Sequence, residues 1–157
     1  MARLNTSGLD KLIDEMGRMG QLTGPVAEAM ITEAANVTRD AWREAAEEHG
    51  LRDTGDMINS IGYPVSIIHL GAALARDIYP QGKDSKGVRN AEKAFILHYG
   101  KHGFPATYWV DDAEAKAGPR IQERLEDMWA EFNETGKVPQ VSNNGAGSGS
   151  GVTKRKK

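Results

Sequence analysis

The segment Ala94-Phe-Ile-Leu-His-Tyr-Gly-Lys-His-Gly-Phe-Pro-Ala-Thr-Tyr-Trp-Val-Asp-Asp-Ala113 joins the middle of this chain to its carboxyl-terminal third. It begins with a dense apolar and aromatic run of strand length, formed by Phe95, Ile96, Leu97 and Tyr99. Gly100 and Gly103 permit backbone angles closed to other residues, and Pro105 is typical of the first turn of a helix. The segment therefore predicts a strand, a glycine turn and the start of a helix.

The pairs Tyr99-Gly100 and Phe104-Pro105 flank the predicted turn, so we expect them to set the angle between the sheet and the terminal helix. His98 and His102 also lie here, four residues apart. That spacing would align them on a helix, but one falls in the predicted strand and the other in the turn. A metal site would need ligands from elsewhere in the chain. We expect ordinary edge and turn histidines, and neither a metal nor a cofactor.

The composition is typical of one soluble domain. The chain has 157 residues, of which 27% are charged, a formal net charge of -2 and no cysteine. This balance predicts that the folded body does not attract nucleic acid, and the lack of cysteine excludes disulfides and cysteine-ligated zinc. No window approaches the ~20 apolar residues of a membrane span, and the amino terminus lacks a signal peptide's apolar core. We expect a protein made in the cytoplasm that contacts no membrane.

Two helices are predicted in the first third of the chain. Apolar residues at steps of three and four predict a short helix over residues 8 to 19. From Pro25 to His49 one apolar stripe continues, mostly of alanine with Trp42 as its single large member. Thr54 or Asp56 is positioned to cap a further helical turn, and this turn would present three apolar side chains to the core: Met57, Ile58 and Ile61.

Two strands and a loop are predicted in the middle of the chain. Tyr63 to Leu70 and Ala73 to Tyr79 have strand composition, with the reversal at Gly71. Pro80 to Asn90 is polar and contains glycines without periodicity, which predicts a long exposed loop.

Beyond the opening segment, the apolar pattern predicts a terminal helix pair broken at Gly118-Pro119. The predicted fold is therefore α+β. A small antiparallel sheet of three or four strands packs against a long amino-terminal helix and a carboxyl-terminal helix pair. Residues 1–137 form this single domain, and residues 138–157 are a flexible Gly/Ser-rich tail with the basic tip Lys154-Arg155-Lys156-Lys157.

Catalytic motifs are weak in this sequence. Asp53-Thr54-Gly55 matches the tripeptide of aspartic proteases, in which two such carboxylates share one proton, but no apolar strand precedes it. A capped turn is the simpler interpretation. Asp111, Asp112 and Glu114 fall in the first turns of the terminal helix, where the helix dipole favours anions. We therefore expect no enzymatic activity and no catalytic residue.

Two stretches carry a resemblance to a known family. Thr54-Gly-Asp-Met-Ile-Asn-Ser-Ile61 is followed by Ala94-Phe-Ile-Leu-His-Tyr-Gly100 and then by Phe104-Pro-Ala-Thr-Tyr-Trp-Val110. Their order and spacing over most of residues 5 to 135 resemble the neck and tail-completion (head–tail joining) proteins of long-tailed bacteriophages. The residues that carry this structural motif are Thr54, Gly55, Asp56, Ser60, Ile61, Tyr99, Gly100, Phe104 and Pro105. His98 stands where the family often has glutamate, which leaves any contact of that acid unassigned.

The resemblance implies a structural virion component that assembles as a ring, with six copies the expected number. It implies a position at the junction between head and tail, beside connector or head-completion proteins and beside tail-terminator or tail-tube proteins. The genome would pass through the lumen and contact the ring without sequence specificity. The protein would be present in the host cytoplasm during assembly and in the neck or tail of the virion afterwards.

Two alternatives come from different classes. A small DNA-binding accessory protein would act through the basic tip of the tail. A hydrolase would use Asp53 or the histidines. The possible contacts with a partner or DNA are Lys83, Lys86, Arg89, Lys154, Arg155, Lys156 and Lys157. We also expect the loop from Gln81 to Asn90 and the tail from Thr135 to become ordered on assembly.

Overall fold

The structure is a computed structural model that describes residues 2–3, 24–71 and 73–142. Within them the fold is α+β, as predicted. Its elements, in chain order, are β1 (Ala2–Arg3), α1 (Gly24–Glu48), α2 (Asp56–Ser60), β2 (Ile61–Gly62), β3 (Ile68–Leu70), β4 (Ala73–Ala75), β5 (Asp77–Pro80), α3 (Asn90–Tyr99) and α4 (Trp109–Thr135). The predicted helix over residues 8 to 19 and the basic tip of the tail lie outside the described residues.

Helix α1 is confirmed close to its predicted bounds, and it forms the centre of the core. Its buried face is mostly alanine, which lets α4 approach closely along it. In the carboxyl-terminal third of α1, Trp42 packs edge-to-face on Trp109 at 5.4 Å between ring centroids. Small residues thus bring the two long helices together, and two tryptophans fill the space where they meet α3.

Helix α4 is one continuous helix rather than the predicted pair. Pro119 lies inside it, and both Gly118 and Pro119 face solvent. A proline inside a helix removes one backbone hydrogen bond and strains the preceding turn. Here a single buried stripe continues on both sides of the proline and packs against α1, which keeps the helix whole. Its members are Ala113, Ala117, Ile121, Leu125 and Met128.

The strands are shorter than predicted and form two small antiparallel sheets. β5 pairs with β1 and β2, while β3 and β4 form a hairpin that reverses at Gly71, as predicted. The predicted strand from Tyr63 is interrupted because the guanidinium of Arg76 donates to the carbonyls of Pro64 and Val65. Pro64 also has no N–H to offer a neighbouring strand.

The predicted strand at Phe95–Tyr99 is wrong, because this run belongs to helix α3. Asn90, Ala94 and His98 repeat every four residues and form the buried face of α3. Short apolar runs do not distinguish a strand from a helix by composition alone, and here the four-residue repeat decides. The prediction that Pro105 opens the terminal helix is also wrong, since α4 begins at Trp109.

The capping prediction at Thr54 or Asp56 is wrong in detail. Gly55 occupies the cap of α2 with φ 88°, and no side chain caps this helix. The carboxylate of Asp56 instead accepts the N–H of Ser85, which ties α2 to the loop. Met57 is buried as predicted, together with Ile58 and Ile61.

The loop over residues 81–89 is held within the single chain. The buried carboxylate of Asp84 accepts the N–H groups of Lys86 and Val88 and pairs with Lys93 of α3. Asn90, predicted as the end of the exposed loop, is instead the buried first residue of α3.

The segment after α4 also packs back onto the body. Gly136 ends α4 in the left-handed conformation, and the chain then reaches α1. The buried carboxylate of Glu33 accepts the N–H of Ser142 at 2.9 Å and the Nε–H of Arg124 at 2.9 Å. The contacts of the body therefore extend to Ser142, beyond the predicted boundary at residue 137.

Candidate functional site

The hinge between α3 and α4 is the most closely bonded connection around the motif residues. The carbonyl of Leu97 accepts both the N–H and the hydroxyl of Thr107, and the carbonyl of His98 accepts the N–H of Tyr108. Tyr108 has φ 52°, an uncommon value for a residue with a side chain. These bonds satisfy the open end of α3 and hold the start of α4 against it.

Gly100 makes this hinge possible. It has φ 76°, and a Cβ at this position would lie 2.7 Å from the carbonyl oxygen of Phe104 and 2.7 Å from the nitrogen of Ala106. Both contacts are with backbone, which has no freedom to move aside. Gly103 has a similar φ of 83° but no atom within 4 Å of such a Cβ. At Gly100 both the positive φ and the close backbone atoms require glycine, whereas at Gly103 only the positive φ favours it.

His98 has a structural position. It is buried, and its Nδ1 accepts the N–H of Val110 at 3.4 Å, while its Nε2 lies 3.8 Å from a carboxylate oxygen of Asp111. His102 lies in the exposed turn. Among the described residues, no three side chains of His, Asp or Glu come together in a way that could hold a metal ion.

The protease-like tripeptide also has a structural position. Asp53 is exposed, Gly55 begins α2, and the hydroxyl of Thr54 accepts the N–H of Asp56 at 3.3 Å. The hydrogen bond from the Ser85 backbone lowers the pKa of Asp56, and the bond from Lys93 lowers the pKa of Asp84.

The acids at the start of α4 differ in their partners. Asp112 lies 2.6 Å from the Nε2 of His49, which joins α4 to the end of α1. Glu114 is exposed, but partial desolvation and repulsion from Asp111 raise its pKa, although His98 acts in the opposite direction. A nearby cation would therefore stabilise the charged form of Glu114.

Four large aromatic side chains around the hinge face solvent. Their exposed fractions are 61% for Phe95, 59% for Tyr99, 61% for Phe104 and 54% for Tyr108. Ring contacts with one another or with His98 connect Phe95, Tyr99 and Tyr108, and we call these three the aromatic surface. The rings of Phe95 and Tyr99 are 4.7 Å apart, and His98 contacts both Tyr99 and Tyr108. Exposed apolar clusters of this kind mark sites of protein association.

Two cavities flank α3. The first, of about 310 Å³, lies between α3, the end of β5 and the start of α4, and we call it the acidic cavity because Asp111 and Glu114 line it. The second, of about 580 Å³, lies on the other side of α3, and we call it the apolar cavity. Thr54 and Gly55 line the apolar cavity together with Phe104, so the structure brings the two motif stretches together there.

The remaining motif residues act within the fold. The hydroxyl of Ser60 donates to the Met57 carbonyl, and its own carbonyl accepts the N–H of Gln81. Ile61 is buried and pairs with Pro80 across the sheet. Pro105 lies in the extended segment before α4.

The loop cations are exposed. Lys83, Lys86 and Arg89 face solvent, and the structure gives none of them a carboxylate partner among the described residues. Lys83 and Arg89 face each other across the loop through an isolated backbone bridge. The other predicted cations, Lys154 to Lys157, lie outside the described residues.

None of the helices in the described part of the chain has the length and apolar character that crossing a membrane requires. Comparisons of the chain with protein-family models, with curated proteins and with solved structures found no match.

The aromatic surface is the feature that sequence reasoning missed. In the predicted strand, Phe95, Leu97 and Tyr99 would have shared one face, and His98 would have lain on the other face, away from the rings. The available signal was the pairing of Phe95 with Tyr99 and of Ala94 with His98, each four residues apart. That spacing places the rings on one face of a helix and the smaller or polar side chains on the other.

Proposed function

We propose that this chain is a structural virion protein of a tailed bacteriophage, which assembles as a ring at the junction of head and tail. The support is the coincidence of the motif resemblance with a surface suited to association. Tyr99, one of the residues that carry the resemblance, is also a member of the aromatic surface. The two motif stretches meet at the apolar cavity, which Thr54, Gly55 and Phe104 line.

The aromatic surface is the single observation that carries this proposal. A single chain folds with these rings in water, where each leaves apolar area exposed that a partner would bury. The hinge below them is fixed by backbone bonds and by the close approach at Gly100, so the surface is held in one orientation. Preorganised surfaces lose less entropy on association. A ring of identical copies is the simplest assembly in which every copy covers such a surface.

Electron microscopy of phage particles made without this protein tests the proposal. A joining role predicts free filled heads beside free tails, and supply of the wild-type chain in trans should restore joined particles. Supply of Phe95→Ser should restore few, whereas Val65→Ser should restore joining, because Val65 is 94% exposed and lies outside the aromatic surface. Normal virions in the absence of the protein would refute the proposal.

A second candidate function is binding of DNA by the basic residues, and the exposed loop cations support it. Lys83, Lys86 and Arg89 have no carboxylate partner among the described residues and are free to contact phosphate. This function predicts DNA affinity that falls steeply with salt and is weakened by Lys86→Ala. DNA affinity without any joining defect would favour it over the ring.

A further inference from the structure

The acidic cavity has the walls and charges of a receptor for a cationic, apolar group. Phe95 and Tyr99 form one side of it, while Asp111 and Glu114 line the side that belongs to α4. Glu114 faces solvent, no described cation bonds to it, and partial desolvation and the repulsion from Asp111 raise the pKa of this carboxyl. An incoming ammonium group would relieve both effects.

Trp42 adds a large aromatic ring to the lining of the acidic cavity. It is 4% exposed, yet its indole N–H has no acceptor among the described residues. Buried donors in folded proteins are nearly always paired.

The turn Lys101–Phe104 has the complementary chemistry. It is closed by two backbone bonds, from Lys101 N–H to the Phe104 carbonyl at 2.9 Å and from Phe104 N–H to the Lys101 carbonyl at 2.8 Å. The Lys101 ammonium lies over the Phe104 ring at 5.3 Å from its centroid, so cation and ring are presented together. All four residues are exposed, and no described donor bonds to the carbonyls of His102 and Gly103.

A chain does not place its own turn in its own acidic cavity. Lys101 and Phe104 line the apolar cavity, on the opposite side of α3 from the acidic one. The complementary parts therefore face different directions, which is the condition for a head-to-tail contact between identical copies.

We propose that the turn Lys101–Phe104 of one copy docks in the acidic cavity of the next, with Lys101 against Asp111 and Glu114 and Phe104 against Phe95 and Tyr99. This inference rests on the proposed ring, and it identifies the residues through which neighbouring copies close that ring. It uses two members of the aromatic surface, Phe95 and Tyr99, and repetition around a closed circle fills the acidic cavity of every copy.

Sedimentation velocity of the full-length chain, up to a concentration of roughly 100 µM, tests this contact through exchange of charges. Lys101→Glu and Glu114→Lys should each weaken self-association at least about tenfold, because each places like charges together. An equimolar mixture of the two variants should recover it, since every contact in an alternating assembly again pairs opposite charges. Lys137→Glu and Glu123→Lys carry the same charge changes at other exposed positions and should have no effect.

If Lys101→Glu and Glu114→Lys both form rings as well as the wild type does, this contact is overturned, but the ring proposal stands. Failure of the mixture to recover assembly, or equal losses in the two control variants, would also overturn it. A wild-type chain that stays monomeric at every concentration would remove the contact as well. The head–tail role is decided separately, by the microscopy of particles lacking the protein.

Discussion

The core between α1 and α4 and the hinge around α3 use apolar residues in opposite ways. In the core, small alanines are buried and allow close helix contact, and ion pairs such as Arg120 with Glu44 at 2.6 Å flank the seam. The hydrogen bond from Arg120, with help from Lys116, lowers the pKa of Glu44 to about 2. In the hinge, large rings face solvent although the backbone beneath them is fixed.

This difference separates what folds the chain from what remains for a partner. The alanine-rich contact between α1 and α4 and the two tryptophans, Trp42 and Trp109, complete a core without the rings of Phe95 and Tyr99. Those rings therefore contribute little to the stability of one copy and offer apolar area to another. Substitutions in the core should therefore lower the stability of a single copy, whereas substitutions in the aromatic surface should weaken association between copies.

The largest loss of stability should come from Trp109→Ala. Trp109 is fully buried between Trp42 and α3, and its indole N–H donates to the Ala94 carbonyl at 3.4 Å. Removal of this ring should cost about 3–5 kcal/mol of unfolding free energy. Urea unfolding followed by far-UV circular dichroism measures it, and a cost below 1 kcal/mol would mean that the core does not depend on this contact.

Gly100→Ala should follow, with Gly103→Ala as its matched control. Both positions require a positive φ, but only at Gly100 would the new methyl group meet backbone atoms at 2.7 Å. We expect a loss of about 3 kcal/mol for Gly100→Ala and about 1 kcal/mol for Gly103→Ala. Thermal unfolding of the two variants measures the difference, and equal losses would contradict the close approach at Gly100.

Glu33→Gln should have a smaller effect that depends on pH. Burial opposes ionisation of Glu33, but hydrogen bonds from Ser142 and Arg124 outweigh it and lower the pKa below its ordinary value of 4.5. The folded state therefore favours the ionised form, so this contribution is full above about pH 4.5 and is lost as the pH falls through the lowered pKa.

The substitution should therefore cost about 1–3 kcal/mol at neutral pH and less in acid. Urea unfolding at several pH values measures the cost, and limited proteolysis should cut the segment 136–142 faster in Glu33→Gln. A cost that does not change with pH would show that the charge of Glu33 is not what anchors Ser142.

The smallest change in stability should come from Phe95→Ser. The ring is largely exposed, so the unfolding free energy of a single copy should change by no more than about 0.5 kcal/mol. Unfolding at a dilution where the chain is monomeric measures this. A loss comparable to that of Trp109→Ala would place Phe95 in the core and end the distinction between the two regions.

The sequence predicted the elements that depend on long or local patterns. The stripe of α1 is long enough to identify a helix, and the left-handed glycines at the hinge follow from their local chemistry. Short patterns were less informative. Phe95 to Tyr99 fits a strand as well as a helix, and its helical state depends on burial of Ala94 and His98 against other elements.

Tertiary contacts explain the other differences. Pro119 marks a break by its local chemistry, but the buried stripe of α4 continues through it. The predicted strand from Tyr63 is interrupted because Arg76, more than ten residues further along the chain, donates hydrogen bonds to two of its carbonyl groups. The acidic cavity required the fold, because Trp42 and Glu114 lie 72 positions apart and belong to different helices.

Self-association of Phe95→Ser compared with Val65→Ser tests the central claim most directly. Both substitutions replace an exposed apolar side chain by serine, but only Phe95 belongs to the aromatic surface. By sedimentation velocity, we expect Val65→Ser to assemble like the wild type and Phe95→Ser to remain monomeric while folding equally well. Equal assembly of Phe95→Ser and the wild type would contradict the assignment of the aromatic surface to assembly.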